Sequence, residues 1–250
     1  MNFLFSKSGN LSKVEHVWNR IVMFKDWYKL VFPLNMVFTG IQKLHLRNGT
    51  SAYVRDVRSC DTNIVRDILW DKEYAVEKMS LPQDPVIFDL GANIGTFCIE
   101  ARHIFPAAQI TAYEPHPDNF RMLKMNAPFA SLVQKAATEE TGTVHLEDYD
   151  NFYGLQVIPQ GGILVESLSL DDILKDVAKV DLLKIDIEGS ERGLLNAASP
   201  QTFAKVQRII METHAVPGFD DAEWAETILA KNGFKTSWVD SLKIIYGEKV

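Results

Sequence analysis

The sequence predicts an α/β protein built on a doubly wound, mostly parallel sheet, and three observations carry that prediction. From about residue 83 onward, short apolar runs alternate with stretches of helical periodicity, the order that puts helices on both faces of a parallel sheet. One run, Val86-Ile87-Phe88-Asp89, ends in an acid and turns through Gly91 and Gly95 into a helix. Another, Ile110-Thr111-Ala112-Tyr113, ends in Glu114, 23 residues past Gly91.

The elements follow in order. Pro85–Asp89 reads as a buried first strand, Thr96–Ile104 as a helix, Gln109–Tyr113 as a second strand, and Pro117 opens a helix reaching about Ala127. Ser131–Lys135 makes a third strand. Thr138–Gly162, with four glycines and alternation in Val144–Leu146, reads as an inserted hairpin or loop. Ser169-Leu170-Asp171-Asp172 has the form of a capping box and starts a helix to about Ala178. Val180–Asp186 and Arg208–Thr213 are the fourth and fifth strands, with a helix over Glu191–Ala197 between them. Ala222–Asn232 is helical and Gly233 stops it. Thr236–Val239 and Leu242–Tyr246 suit a closing antiparallel pair.

The bulk numbers bound the class. A chain of 250 residues, 46% hydrophobic, can bury the core of one α/β domain, here residues 46–250, with a helical extension over residues 1–45. A net charge of −7 without any run of Lys or Arg argues against nucleic acid as the main partner. Cys60 and Cys98 lack metal or redox spacing, and the simplest reading is a reduced, cytoplasmic protein. Met1–Phe5 is too short for the apolar core of a signal peptide. Val14, Val17, Trp18, Ile21, Phe24 and Tyr28 recur at helical spacing. Glu15, Arg20, Lys25, Asp26 and Lys29 in the same stretch rule out an integral membrane span. Packing on the domain is the plain role for this amphipathic helix; a lid, a homodimer contact or a membrane-surface helix are the others.

The glycine turn points to a nucleotide-like cofactor. Gly91 and Gly95 allow a sharp turn and close backbone approach, Ala92, Asn93 and Thr96 complete the loop, and N–H groups of the following helix end would face a ligand. Asp89 can accept from a ligand amine. Glu114, beside Pro115, can take both ribose hydroxyls. A dinucleotide loop would need a glycine where Asn93 stands, and Asp89 would oppose a pyrophosphate. S-adenosylmethionine has no phosphate and carries an ammonium that a carboxylate helps hold, so charge favours that cofactor.

With those residues in view, the chain resembles the FkbM methyltransferases. The matches are Phe88-Asp89-Leu90-Gly91-Ala92-Asn93-Ile94-Gly95, Tyr113-Glu114-Pro115, Ser169-Leu170-Asp171-Asp172 and Leu183-Lys184-Ile185-Asp186-Ile187-Glu188-Gly189-Ser190-Glu191. Leu46-Arg47 through Glu73-Tyr74 resembles the family's lead-in, although Asp61 comes later than the family's acid. The resemblance implies a Rossmann-like class I methyltransferase fold with a seven-stranded sheet, and O-methylation of sugars, polyketides or similar metabolites.

Active sites of open α/β sheets lie beyond the C-terminal strand ends, so Asp186, Glu188, Glu212 and His214 are expected to gather near the transferable methyl. Two mechanisms fit. In one, His214 or Asp186 is the general base for a substrate hydroxyl. In the other, Asp186 and Glu212 bind Mg²⁺, which lowers the pKa of a coordinated hydroxyl. Plainer roles stand beside these. Glu188 and Glu191 also suit a helix N-terminus, with Glu191 the more structural; Lys184 points outward or pairs with an acid; His116 shapes its loop. A NAD-dependent oxidoreductase would need the pyrophosphate loop that is missing. A non-catalytic binding protein would be expected to have lost the strand-end acids.

Overall fold

The computed structural model describes residues 13–31, 37–147, 156–214 and 221–250. The chain opens with α1 (Lys13–Met23) and a short 3-10 turn (Trp27–Leu30), then the hairpin β1 (Gln42–His45) and β2 (Ser51–Val54). A compact helical segment follows, α2 (Asp61–Val65) running into a π turn (Arg66–Trp70). The doubly wound part comprises β3 (Val86–Leu90), α3 (Thr96–Ile104), β4 (Gln109–Tyr113), α4 (Pro117–Asn126) and β5 (Ser131–Val133). An inserted sheet contains β6 (Ala136–Ala137), β7 (Gly142–Leu146), β8 (Val157–Ile158) and β9 (Ile163–Leu168). Then come α5 (Leu170–Ile173), β10 (Leu182–Ile185), α6 (Glu191–Ala197), α7 (Pro200–Lys205), β11 (Arg208–Glu212), α8 (Asp221–Lys231), β12 (Phe234–Val239) and β13 (Ile244–Lys249).

The main sheet has seven strands in the order β12-β13-β11-β10-β3-β4-β5. The pairs from β11 to β5 are parallel and β13 runs antiparallel to both its neighbours. This is the Rossmann-like class I methyltransferase arrangement expected from the sequence. Successive strand residues serve opposite faces: Ile87 and Leu182 join one core, Phe88 and Leu183 the other. That explains why the strands read as continuous apolar runs. Each fully buried Ile or Leu contributes about 1.5–3 kcal/mol of burial.

The first core is covered by α3, α4 and the N-terminal segment, whose Met23, Phe24, Leu30, Leu44 and Leu46 are buried in the same cluster as Ile87 and Ile110. The second is covered by α5 to α8 through Leu170, Leu194, Phe203 and Leu229. No helix among the described residues is long and apolar enough to cross a membrane.

Several elements depart from the sequence expectation for local reasons. The N-terminal helix ends at Met23 rather than continuing through Tyr28, because Phe24 bridges to Leu46 and Lys25 donates its N–H to the His45 carbonyl. Met23 at its end and Phe24 just beyond are buried, while Trp18 within it and Tyr28 after it are exposed. The insertion is a four-stranded sheet reaching to Leu168 instead of a simple hairpin, sealed by Ala136, Leu146 and Val165. Ser169 caps α5 by accepting from the Asp172 N–H, yet that helix ends at Ile173. Helix α7, started by Pro200 behind the Ser199 cap, was not expected.

The tightest backbone contact lies where β3 leaves the sheet. Gly91 has φ +81, and a Cβ there would sit 1.7 Å from the Asp186 carbonyl oxygen. The Asp186 N–H bonds the Leu90 carbonyl at 3.0 Å, and the Gly91 and Ala92 N–H groups share the Tyr113 carbonyl. Three strand ends are thus clamped at one point that only glycine can occupy. Gly91→Ala should therefore lose about 4 kcal/mol or more of stability in urea denaturation, whereas Gly142→Ala, with open space around it, should be near neutral.

Candidate active site

The site is built around Lys184, which is buried in β10. Parallel register sets Lys184 opposite Asp89, and Asp186 lies two residues on, on the same face of the strand. Lys184 Nζ is 3.2 Å from Asp89 Oδ1 and 3.2 Å from Asp186 Oδ2, and it donates to the Gly91 carbonyl at 2.8 Å. Tyr74 and Phe97, packed edge to face with centroids 5.6 Å apart, present their rings to the ammonium. Burial alone would lower the Lys184 pKa, but the charges of Asp186 and Asp89 outweigh it and hold the ammonium protonated. Asp89 is pushed up by burial despite Lys184. Its other oxygen accepts from the Cys98 thiol at 3.3 Å. Cys98 and Cys60 are both free thiols.

Two clefts open at the C-terminal ends of the strands. One is lined by Tyr113, Glu114, Pro115, His116 and Asn119, with Ala136, Ala137, Leu146 and Val157 of the inserted sheet across from them. The other is lined by Ala92, Thr96, Phe97, Glu73, Tyr74, Lys184, Glu212 and His214. Gly91, Asn93, Asp186 and Glu188 belong to both walls. Glu114 is buried; its two oxygens accept the Asn93 N–H at 2.8 Å and the His116 N–H at 2.9 Å. Desolvation raises its pKa to about 7, against those hydrogen bonds. Asn93 adopts φ +49, the positive φ a glycine would supply, and asparagine tolerates it. Its Oδ1 is buried without a hydrogen-bond partner, in a residue that lines both clefts.

Three carboxylates, Asp186, Glu188 and Glu191, lie around His214. His214 Nδ1 is 2.9 Å from Glu191 Oε1; its Nε2 is 3.1 Å from Glu188 Oε2 and 3.8 Å from Asp186 Oδ1. Burial would lower the His214 pKa, but the Glu191 hydrogen bond and three carboxylates raise it to about 9. It is therefore an imidazolium at neutral pH. Glu188 is raised to about 7 by desolvation and the neighbouring Asp186 charge. Asp186 is held low, because Lys184, His214 and the Tyr74 hydroxyl outweigh its burial. Glu212 is raised by desolvation and by Asp186. Glu188 also sits at φ +54, a conformation costly for a side chain that is not Asn or Gly. Glu191 anchors this turn by accepting from the Ile187 and Gly189 N–H groups.

Not every expected residue faces a cleft. Asp89 is enclosed behind Lys184 and lines neither. Gly95 (φ +88) lines neither as well; its missing Cβ makes room for Leu123 of α4. Asp186 and Glu212 do not form an open metal pair, because the Tyr74 hydroxyl lies between them, 2.9 Å from Asp186 Oδ2 and 3.4 Å from Glu212 Oε2. Among the described residues, the metal-type ligand atoms that converge are those of Asp186, Glu188 and His214, a set with a histidine nitrogen where Mg²⁺ takes oxygen ligands. These residues do not fit Mg²⁺. Two site residues were not singled out from sequence: Tyr74, whose signal was its place at the end of the lead-in, and Lys184 as the hub. The Arg55–Asp61 ion pair, reinforced by Asn119, shows how the later acid serves the lead-in. The segment Ala215-Val216-Pro217-Gly218-Phe219, expected to bind acceptor, and residues 148–155 of the insertion lie outside the described residues.

Residues 89–236 match the family model of the methyltransferase FkbM domain. The 31-O-demethyl-FK506 methyltransferase FkbM of Streptomyces tacrolimicus is 28% identical over 71% of this chain and 84% of its own. The hexuronic acid methyltransferase AglP of Haloferax volcanii is 27% identical over 65% of each chain. The crystal structure of an FkbM methyltransferase from Methylobacillus flagellatus superposes with a TM-score of 0.50 at 18% identity. That match covers 68% of this chain but only 45% of the solved one.

The site sets two expectations. Lys184→Met strands the buried Asp89 carboxylate and takes a cation from the partly exposed Asp186, and should cost roughly 3–5 kcal/mol in urea denaturation, part of which Asp89→Asn should restore. The second concerns pH. His214, with a folded pKa above its ordinary 6.5, adds stability below that value and loses it as pH rises through about 9. Glu114 and Glu188, with folded pKa values of about 7 against 4.5, bind protons more tightly folded than unfolded, so stability also falls as pH rises between those limits. The ligand-free protein should melt at a higher temperature near about pH 5.5 than near about pH 9; a flat or rising profile in scanning calorimetry would contradict these shifts.

Proposed function

This chain belongs to the FkbM methyltransferase family, and on that premise we propose that it moves a methyl group from S-adenosylmethionine to a hydroxyl of a small molecule. The observation that carries the reading is the shared wall of the two clefts. A cofactor in the first and an acceptor in the second would meet only at Gly91, Asn93, Asp186 and Glu188. The unpartnered Asn93 Oδ1 and the Glu114 carboxylate suit the donor-rich amino-acid and ribose parts of that cofactor, and no basic group of the glycine loop calls for a pyrophosphate. Pro115 and Tyr113 would wall the base. When bound, S-adenosylmethionine supplies an electrophilic methyl on a sulfonium that departs as a neutral thioether.

The protein's own work is positioning and proton removal. With the cofactor bound, Glu188 would take the proton that the acceptor hydroxyl gives up when its oxygen receives the methyl. That carboxylate lies in both walls, and its pKa of about 7 suits a general base at neutral pH. Imidazolium His214, 3.1 Å away, favours its ionised form, and Asp186 orients the hydroxyl while Lys184 and Tyr74 hold it still. His214 in its protonated state is a partner of the base rather than the base. A hydroxyl acceptor fits the 31-O position named for one relative; the hexuronic acid named for another offers both hydroxyls and a carboxyl.

Calorimetric titration with S-adenosylhomocysteine, beside NAD, tests the cofactor; binding of NAD alone would favour an oxidoreductase, and binding of neither a non-catalytic protein. Glu114→Gln should weaken S-adenosylhomocysteine by roughly 10- to 100-fold, the worth of hydrogen bonds to a charged acceptor. Glu188→Gln should leave that affinity within a few-fold but lower turnover about 10²–10⁴-fold, read as single-turnover methyl transfer to a hydroxylated acceptor. The opposite pattern would sink both assignments.

A further inference from the structure

Charge and exposed apolar surface are distributed unevenly over the molecule. The first 47 residues carry seven Lys and Arg against Glu15 and Asp26, a net +5, whereas the whole chain is −7, leaving −12 on the remainder. Ten large hydrophobic side chains are exposed among the described residues, and five of them, Trp18, Val22, Tyr28, Val37 and Ile41, fall in this one segment. Trp18 is 64% exposed and Val37 73%. Trp18 and Val22 are one turn apart on α1, on the side away from the buried Met23 and Phe24.

Backbone and side-chain contacts tie the parts of this segment together. The Lys25 N–H bonds the His45 carbonyl, the Arg47 N–H bonds the Met23 carbonyl, and Lys29 Nζ reaches the Lys43 carbonyl at 3.2 Å. Tyr28 packs edge to face on Phe38 at 5.9 Å, bringing the turn of Val37 beside it. The exposed cations Lys25, Lys43 and Arg47 lie in these same paired stretches; Lys43 Nζ sits 5.3 Å from the Tyr53 ring centroid and Arg47 Nε donates to the Ile21 carbonyl at 3.2 Å. Of the two acids, Asp26 is engaged by His45 at 2.7 Å and Lys29 at 3.8 Å. Residues 13–31 and 37–47 are anchored in the main core through Met23, Phe24, Leu30, Leu44 and Leu46.

We propose that this segment is a docking face for an anionic lipid surface. Aromatic and aliphatic side chains sharing a segment with Lys and Arg, on a short amphipathic helix, suit insertion at the headgroup level with cations on the phosphates. The rest of the molecule, strongly acidic, would be repelled by the same surface and held pointing away from it. A second copy of the chain suits the face less well, because two identical +5 segments would repel.

Co-sedimentation of the full chain with vesicles tests this. The protein should bind vesicles of phosphatidylcholine mixed with phosphatidylglycerol, bind phosphatidylcholine alone far less, and dissociate as salt rises. Trp18→Glu, and Lys25→Glu with Lys43→Glu, should each weaken the partition by about tenfold or more, with melting temperatures unchanged. Leu164→Glu, at an exposed apolar position in the inserted sheet, should have no effect. No binding to the anionic vesicles, or equal binding by all variants, would overturn the proposal. So would a dimer in light scattering that Trp18→Glu dissociates, which would assign the face to a second copy.

Discussion

A buried ammonium in the middle of a parallel sheet constrains everything around it. Lys184 cannot reach water, so its charge is tolerable only while Asp89, Asp186 and the Gly91 carbonyl surround it. Partial pairing would be worse than an apolar core, because an ion stripped of one partner in low dielectric is strongly destabilising. Strand register is thereby coupled to chemistry. A slip of β10 by one residue would put Lys184 on the other face and Asp186 out of both clefts. The glycine turn is held down by the same cation that holds the carboxylate beside the reacting groups, so folding and site assembly are one event.

The alternation of strands and helices was legible in the sequence because a parallel sheet buried on both faces leaves long apolar runs and needs glycines and caps between them. Thr96–Ile104, Gln109–Tyr113 and Glu191–Ala197 have the boundaries their residues imply. Where propensity met tertiary contact, contact prevailed: Phe24 left its helix to pair with Leu46, and the insertion closed on Leu146 and Val165. Among site residues, strand-end acids were legible by position alone. Which of them face a ligand was not, since Asp89 and Asp186 differ only in the side of Lys184 they occupy. Tyr74 was beyond reach for another reason: it precedes Asp186 by 112 residues, and no local pattern encodes so distant a hydrogen bond.

The acid cluster divides its labour through environment. Four carboxylates around one imidazole cannot all stay ionised at low cost, so their pKa values spread. Asp186, next to two cations and a phenol, stays charged, whereas Glu188 and Glu212 drift upward with burial. Glu191 spends its oxygens on backbone N–H groups and His214, fixing the ring that in turn faces Glu188. Similar side chains thus acquire different tasks without any difference in covalent chemistry.

The backbone of Glu188 carries an evolutionary implication. A left-handed residue next to Gly189, itself at φ +99, invites a second glycine, which would relieve the strain at no cost to packing. Selection for stability alone would drift toward that change; only a requirement for the carboxylate opposes it. The residue at this one position can therefore serve as a marker when descendants of such chains are sorted, separating lineages that kept their chemistry from those in which the fold survives as a relic.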